Sequence, residues 1–203
     1  MQNRVAAMLL AFALPFVIAG CSINVDKGKN GEDKKVKIDT PLGNIHVNAD
    51  KPSANIGMAI YPGATPAPDH DGDKDADVQL GFGEWKMRVQ VAHYNTGDER
   101  DKVLTYYRKS LSRYGDVIEC NGNQPVGTPV KTSEGLTCAE DEHNNHVNLN
   151  DSDRGLTLRA GSKRHQYIVA FDKDDAAAAG PTKFTLIALD LPAETWKKDR
   201  QTD

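Results

Sequence analysis

No extended cluster of lysine and arginine occurs in the sequence, and its 25 basic residues are outnumbered by 29 acidic ones, for a formal charge of −4. Phosphate binding needs a basic field, so nucleic acid is excluded as a partner. Attachment to anionic lipid by charge alone is excluded with it. Long apolar runs are scarce too: the most extended, Val5 to Ile18, falls short of the about 20 residues that a membrane-spanning helix requires. Reaction signatures are also missing. There is no G-x-S-x-G elbow, no S-x-x-K, no C-x-x-C and no H-E-x-x-H, and Gly81-Phe82-Gly83 lacks the third glycine of a dinucleotide loop. No cofactor is expected. Catalytic sets assembled from distant residues leave no such signature, so these absences lower the prospect of an enzyme without removing it.

What is present begins at the N-terminus. One basic residue, Arg4, precedes the uncharged run Val5 to Ile18, which is interrupted only by Pro15 and reads as a signal peptide over residues 1–20. The run ends in Ile18-Ala19-Gly20-Cys21, which resembles the lipobox of bacterial lipoproteins: an aliphatic residue, two small residues and a cysteine. Small residues let a peptidase close around the scissile bond, and the cysteine thiol takes the diacylglycerol. The resemblance implies cleavage between Gly20 and Cys21, acylation of Cys21 with palmitate-like chains, and membrane lipid as the first partner. Two or more chains hold stably where one does not, since each buried methylene contributes about 0.8 kcal/mol. The competing reading is an ordinary secretory signal with an incidental cysteine. Ser22, directly after the acylated residue, resembles the choice that permits outer-membrane sorting in Gram-negative cells. That implies a domain on the exported side, at the periplasmic face of the outer membrane.

Three cysteines become an even pair once Cys21 carries lipid, and an oxidising compartment favours a disulfide between Cys120 and Cys138. Closing a loop of that separation contributes about 3 kcal/mol. A reactive or metal-binding thiol pair would need shorter spacing or neighbouring cations. Loss of Arg4 with the signal moves the formal charge from −4 to −5. The remaining length suits one domain, expected over residues 36–203.

Residues 21–35 are polar, with Lys27 to Asp33 lacking any apolar period, and are expected to form a flexible, lipidated tether with a reach of about 20 Å. Alternation then predicts a hairpin, with Val36 and Ile38 on one side of Pro41-Leu42-Gly43-Asn44 and Ile45 and Val47 on the other. Residues 64–77, rich in proline and aspartate, predict a loop. Val78, Leu80 and Phe82, then Trp85, Met87, Val89 and Val91, predict two half-buried strands joined at Gly83-Glu84. Thr96-Gly97-Asp98-Glu99 has the T-x-x-E form of a capping box. Val103, Leu104, Tyr107, Leu111 and Tyr114 after it fall on one helical stripe, with Gly115 placed as a left-handed cap. Tyr106 lies outside the stripe, where an exposed aromatic contact competes with packing. Val117 and Ile118 lead into Cys120, and further strands are expected over Leu156 to Ala160, His165 to Phe171 and Lys183 to Leu191. The fold class expected is α+β: an antiparallel sheet of about five to seven strands with one amphipathic helix on one face.

Tyr61-Pro62-Gly63-Ala64, followed by Val103-Leu104-Thr105-Tyr106-Tyr107-Arg108 and Leu111, resembles an arrangement in uncharacterised bacterial envelope proteins, where a Y-P-G-A turn precedes a V-x-x-(F/Y)-Y-(R/K)-x-x-L helix. The match covers about a quarter of the chain. It implies a fold and an envelope setting and carries no catalytic residues. Pro62 and Gly63 suit the centre of a type II turn, with Tyr61 and Tyr107 packing beneath it.

Two clusters invite a test for metal chemistry. Asp69, Asp71, Asp73 and Asp75, with Asp77, alternate along one loop and are weak candidates for a hard cation, but an EF-hand register started at Asp69 meets Lys74 where glycine belongs and Leu80 where glutamate belongs. A solvated acidic loop is the competing reading. Glu140 to His146 places His143 and His146 three apart, useful only on a helix, and Asn144-Asn145 argues for a surface loop. The function expected is a membrane-anchored envelope lipoprotein with a non-catalytic binding or structural domain, partnered by another envelope protein or the cell wall. The alternative is an envelope hydrolase with a non-local Asp, Glu or His site, whose sign is a cleft with perturbed titratable groups.

Overall fold

The computed structural model describes residues 21–27, 33–41, 43–48, 56–67, 75–138, 154–172 and 181–192. Eleven strands and one α-helix follow one another along them. The strands are β1 (Ser22–Lys27), β2 (Asp33–Thr40), β3 (Gly43–Asn48), β4 (Thr65–Pro66), β5 (Ala76–Phe82) and β6 (Trp85–Thr96). The helix α1 (Arg100–Leu111) comes next, with a 3₁₀ turn at Ser112–Tyr114. Strands β7 (Ile118–Asn121), β8 (Gln124–Pro125), β9 (Arg154–Gly161), β10 (His165–Asp172) and β11 (Thr182–Asp190) complete the order.

All eleven belong to one sheet, in the order β1-β2-β3-β5-β6-β11-β10-β9-β7-β8, with β4 paired to the far end of β6. Every pairing is antiparallel. Alternation explains most of it. Val36 and Ile38 stand opposite Val47 and Ile45, which in turn stand opposite Val78 and Leu80. Val78 and Leu80 face Val89 and Met87 across the Gly83-Glu84 turn, where Gly83 takes a positive φ of 59° that a side chain would strain. The two meanders join where β6 pairs with β11, Tyr94 opposite Phe184 and Ala92 opposite Leu186.

The helix covers one face of β6, β11, β10 and β9. Its stripe of Val103, Leu104, Tyr107 and Leu111 is buried. Beneath it lie Tyr94, Phe184, Leu186, Val169, Phe171, Leu158 and Ala160, joined by Ile56, Met58 and Tyr61 from the loop before β4. Tyr107 sits 5.5 Å from Phe184, and the guanidinium of Arg100 lies 5.2 Å over Phe171. A smaller cluster of Ile118, Cys120, Leu136 and Cys138 is closed by the Cys120–Cys138 disulfide, with Cα atoms 5.5 Å apart.

The sheet is larger than the five to seven strands expected. Much of the excess lies in elements too short to show a period: β4 and β8 are two residues each and both contain proline. The rest is β1. It occupies part of the segment expected to be a flexible tether over residues 21–35, pairing Ile23 with Ile38 and Val25 with Val36. The polar residues around this pair obscure a two-point alternation that cross-strand contact with β2 is enough to order. The capping box does not form either. Thr96 is the last residue of β6, paired with Thr182, so the helix starts at Arg100 with Glu99 at its N-cap and no side-chain cap. Gly115 has φ 124° and ψ −162°, outside the left-handed helical region expected of it, although its N–H still bonds the Ser112 carbonyl.

Candidate functional site

The Y-P-G-A segment and the helix meet. Gly63 has φ 81° and the Ala64 N–H donates to the Tyr61 carbonyl at 3.0 Å, closing the turn predicted from Pro62-Gly63. The turn presents Tyr61 to α1. The buried Tyr107 hydroxyl accepts the Tyr61 N–H at 3.1 Å, while the Tyr61 hydroxyl donates to Asp98 Oδ2 at 2.8 Å. Lys102 Nζ reaches the other Asp98 oxygen at 3.2 Å. Tyr106 packs edge-on against both Tyr61 and Tyr107, with ring centres 5.2 and 5.1 Å away, and its hydroxyl donates to the Ile60 carbonyl at 3.3 Å. It is therefore a partly buried wall, rather than an aromatic left free on the surface. Tyr61, Asp98, Lys102 and Tyr106 line an open depression of about 610 Å³, with Pro62, Asp101 and Thr105 completing its wall.

Electrostatics fit the hydrogen bonds. The Tyr61 hydroxyl and the Lys102 ammonium hold the Asp98 carboxyl below its ordinary range, and the same carboxylate raises the Tyr61 phenol. Burial pushes the Tyr107 phenol far above its usual value, so it is neutral wherever the protein is folded. Both donors on Asp98 favour its charged form, which is the reverse of what a proton-transferring carboxyl needs near neutral pH. The depression presents tyrosine rings, one cation and two carboxylates on an open surface.

The other polar sets are local pairs. His93 Nδ1 lies 3.1 Å from Asp75, whose carboxylate also accepts the His93 N–H at 2.7 Å. Asp75, one of the cation candidates, is thus committed to strand β6, and Asp69, Asp71 and Asp73 lie outside the described residues, as do His143 and His146. Among the described residues no three His, Cys, Asp or Glu side chains gather as a metal site. His165 Nδ1 lies 2.7 Å from Asp190, both largely exposed. The neighbouring Ser162 hydroxyl accepts the His165 backbone N–H, and Nδ1 of that imidazole is taken up by Asp190. Cys21 is a free, exposed cysteine directly before β1, and Gly20 lies outside the described residues.

The sequence shows the Y-P-G-A turn and the helix stripe but not the role of Asp98, which is only an interior position of the T-x-x-E motif. The signal available was its place four residues before Lys102, a spacing that pairs opposite charges. Compared with protein-family models, with curated proteins and with solved structures, the chain matches none of them.

Proposed function

We propose that this chain is an exported lipoprotein, held in the cell envelope by acyl chains on Cys21, whose domain serves as a non-catalytic binding accessory through the tyrosine-lined depression beside α1. The observation that carries the binding role is the depression itself. Its polar groups are hydrogen-bonded to one another, Tyr61 to Asp98 and Asp98 to Lys102, and its one strongly engaged carboxylate is held ionised. The lipoprotein part rests on Ile18-Ala19-Gly20-Cys21. It is supported by the Cys120–Cys138 bond, which suits an oxidising compartment and leaves Cys21 as the odd thiol.

The test is a photo-crosslinking residue at Thr105, an exposed rim position, introduced into the full chain in cells. One reproducible envelope partner is expected. Labelling spread evenly over many proteins, or equal labelling from a control position such as Gln79 in β5, refutes the binding role. Replacing Cys21 with serine is expected to release the protein from the membrane fraction. Unchanged fractionation refutes the anchor.

A further inference from the structure

The side of the sheet turned away from α1 is apolar from its β1 edge to its centre. Strand alternation and the pairing register bring Ile23 and Val25, Val36 and Ile38, Ile45 and Val47, Val78 and Leu80, and Met87, Val89 and Val91 to that one face. The intervening residues of the same strands are polar and face the other way: Lys37 and Asp39 contact each other at 3.2 Å, and Arg88 holds Asp77 at 2.7 Å. A half-solvated antiparallel sheet turns its apolar side toward a second layer. Here the solvated side is accounted for, yet Ile23 is 65 % exposed, Val25 41 % and Phe82 47 %. The remaining apolar side chains from β2 to β6 are partly exposed. A contiguous apolar surface of this kind marks a contact with protein or membrane.

One margin of the face tells which. Ser22 pairs with Asp39, so one step further along the same register sets Cys21 beside Thr40. Thr40 pairs with Gly43, the Phe82 ring lies over Gly43, and Phe82 pairs with Trp85, their rings 5.7 Å apart. Continuing the alternation of β1 gives Cys21 the same side as Ile23 and Val25. The acyl-bearing residue and the pair of exposed Phe82 and half-buried Trp85 therefore share one margin of the apolar face, with no slack chain between the anchor and β1. Tryptophan and phenylalanine at such a margin suit the headgroup boundary of a bilayer.

We infer that this face of β1, β2, β3, β5 and β6 is a lipid-contact surface, which lies against the bilayer that the Cys21 acyl chains enter. The inference rests on the lipoprotein reading above. The eleven apolar positions named carry no charge, and along β1 the alternation meets a charged residue only at its end, at Lys27 beside the register shift, so binding is mainly to acyl chains and glycerol backbone and salt changes it little. Residues of α1 and the tyrosine-lined depression are on the opposite side and remain open to a partner.

The experiment uses the acylated mature chain with Trp196→Phe, so that Trp85 is the only indole, in phosphatidylcholine vesicles whose acyl chains carry bromine. Trp85 emission is expected to be quenched relative to unbrominated vesicles, equally at low and high salt. Val78→Asp is expected to abolish most of the quenching, and Ile23→Asp, at an exposed edge position where folding makes little demand, gives the same loss if Val78→Asp fails to fold. Gln79→Asp, one residue away on the polar side, keeps it. Unquenched Trp85 in a chain whose mass shows an acylated Cys21 overturns the lipid-contact face and leaves the anchor standing. An unmodified Cys21 overturns the anchor, and this inference with it. Concentration-dependent dimerisation that shields Trp85 from the bromines overturns the inference in favour of a second copy.

Discussion

Replacing Tyr107 with phenylalanine removes a single oxygen from the centre of the candidate site. That oxygen accepts the Tyr61 N–H at 3.1 Å, in a position where the Tyr107 side chain is wholly buried and Tyr61 is nearly so. The ring contacts to Phe184 and Tyr106 survive the change, so little packing is lost. What remains is a buried amide without a partner, which costs about 1 to 3 kcal/mol. For a domain of this size each kcal/mol corresponds to roughly 2 to 4 °C in melting temperature, so a fall of about 6 °C is expected. Tyr106→Phe is the internal control. Its hydroxyl makes a longer bond to the Ile60 carbonyl at a partly exposed position, and its loss is expected to change stability by less than about 0.5 kcal/mol. Thermal unfolding by circular dichroism reads both variants, and amide hydrogen exchange at Tyr61 reads the site directly. If Tyr107→Phe melts with the parent and the Tyr61 amide keeps its protection, the turn does not depend on this bond. The account of how the Y-P-G-A segment is held against α1 would then be wrong.

Two further outcomes follow from the same geometry. Reducing the Cys120–Cys138 bond, or replacing both residues with serine, opens a loop of sequence separation 18 and is expected to cost about 3 kcal/mol, read as a lowered melting midpoint with and without reductant. Arg88 holds the Asp77 carboxyl below its ordinary value of 3.8. A depressed carboxyl contributes stability above its unfolded pKa and loses it as pH falls through the folded one, so melting temperature should decline below about pH 4, with a shallower decline in Asp77→Asn. An identical acid limb in the variant would show that this pair does not couple to folding.

Local pattern made much of this molecule legible. The hairpins β2-β3 and β5-β6 follow from alternation of Val, Ile and Leu, and the buried stripe of α1 from its helical spacing. The elements that escaped are those whose cause is not local. Strand β1 is ordered by β2, β4 by β6 and β8 by β7, each through a few cross-strand bonds that no periodicity announces. Thr96 reads as a helix cap until β11 claims it for the sheet, where Thr182 pairs with it and also donates its hydroxyl to the Asp98 carbonyl at 2.6 Å. The candidate site was visible as a motif and invisible as a geometry. Tyr61 and Tyr107 are 46 residues apart, and only the fold brings the amide of one to the hydroxyl of the other.

The position of β11 has a consequence for how the chain matures. It is the last strand along the described sequence, yet it is the seam between the two meanders, with β6 on one side and β10 on the other. Until residues 182–190 arrive, Tyr94 and Ala92 lack their partners in β11, and the helix has only half a floor to settle on. Synthesis from the N-terminus therefore cannot close the core progressively. The sheet stays open until β11 inserts between β6 and β10, and a chain ending between β10 and residue 182 holds the two meanders with no strand pairing between them.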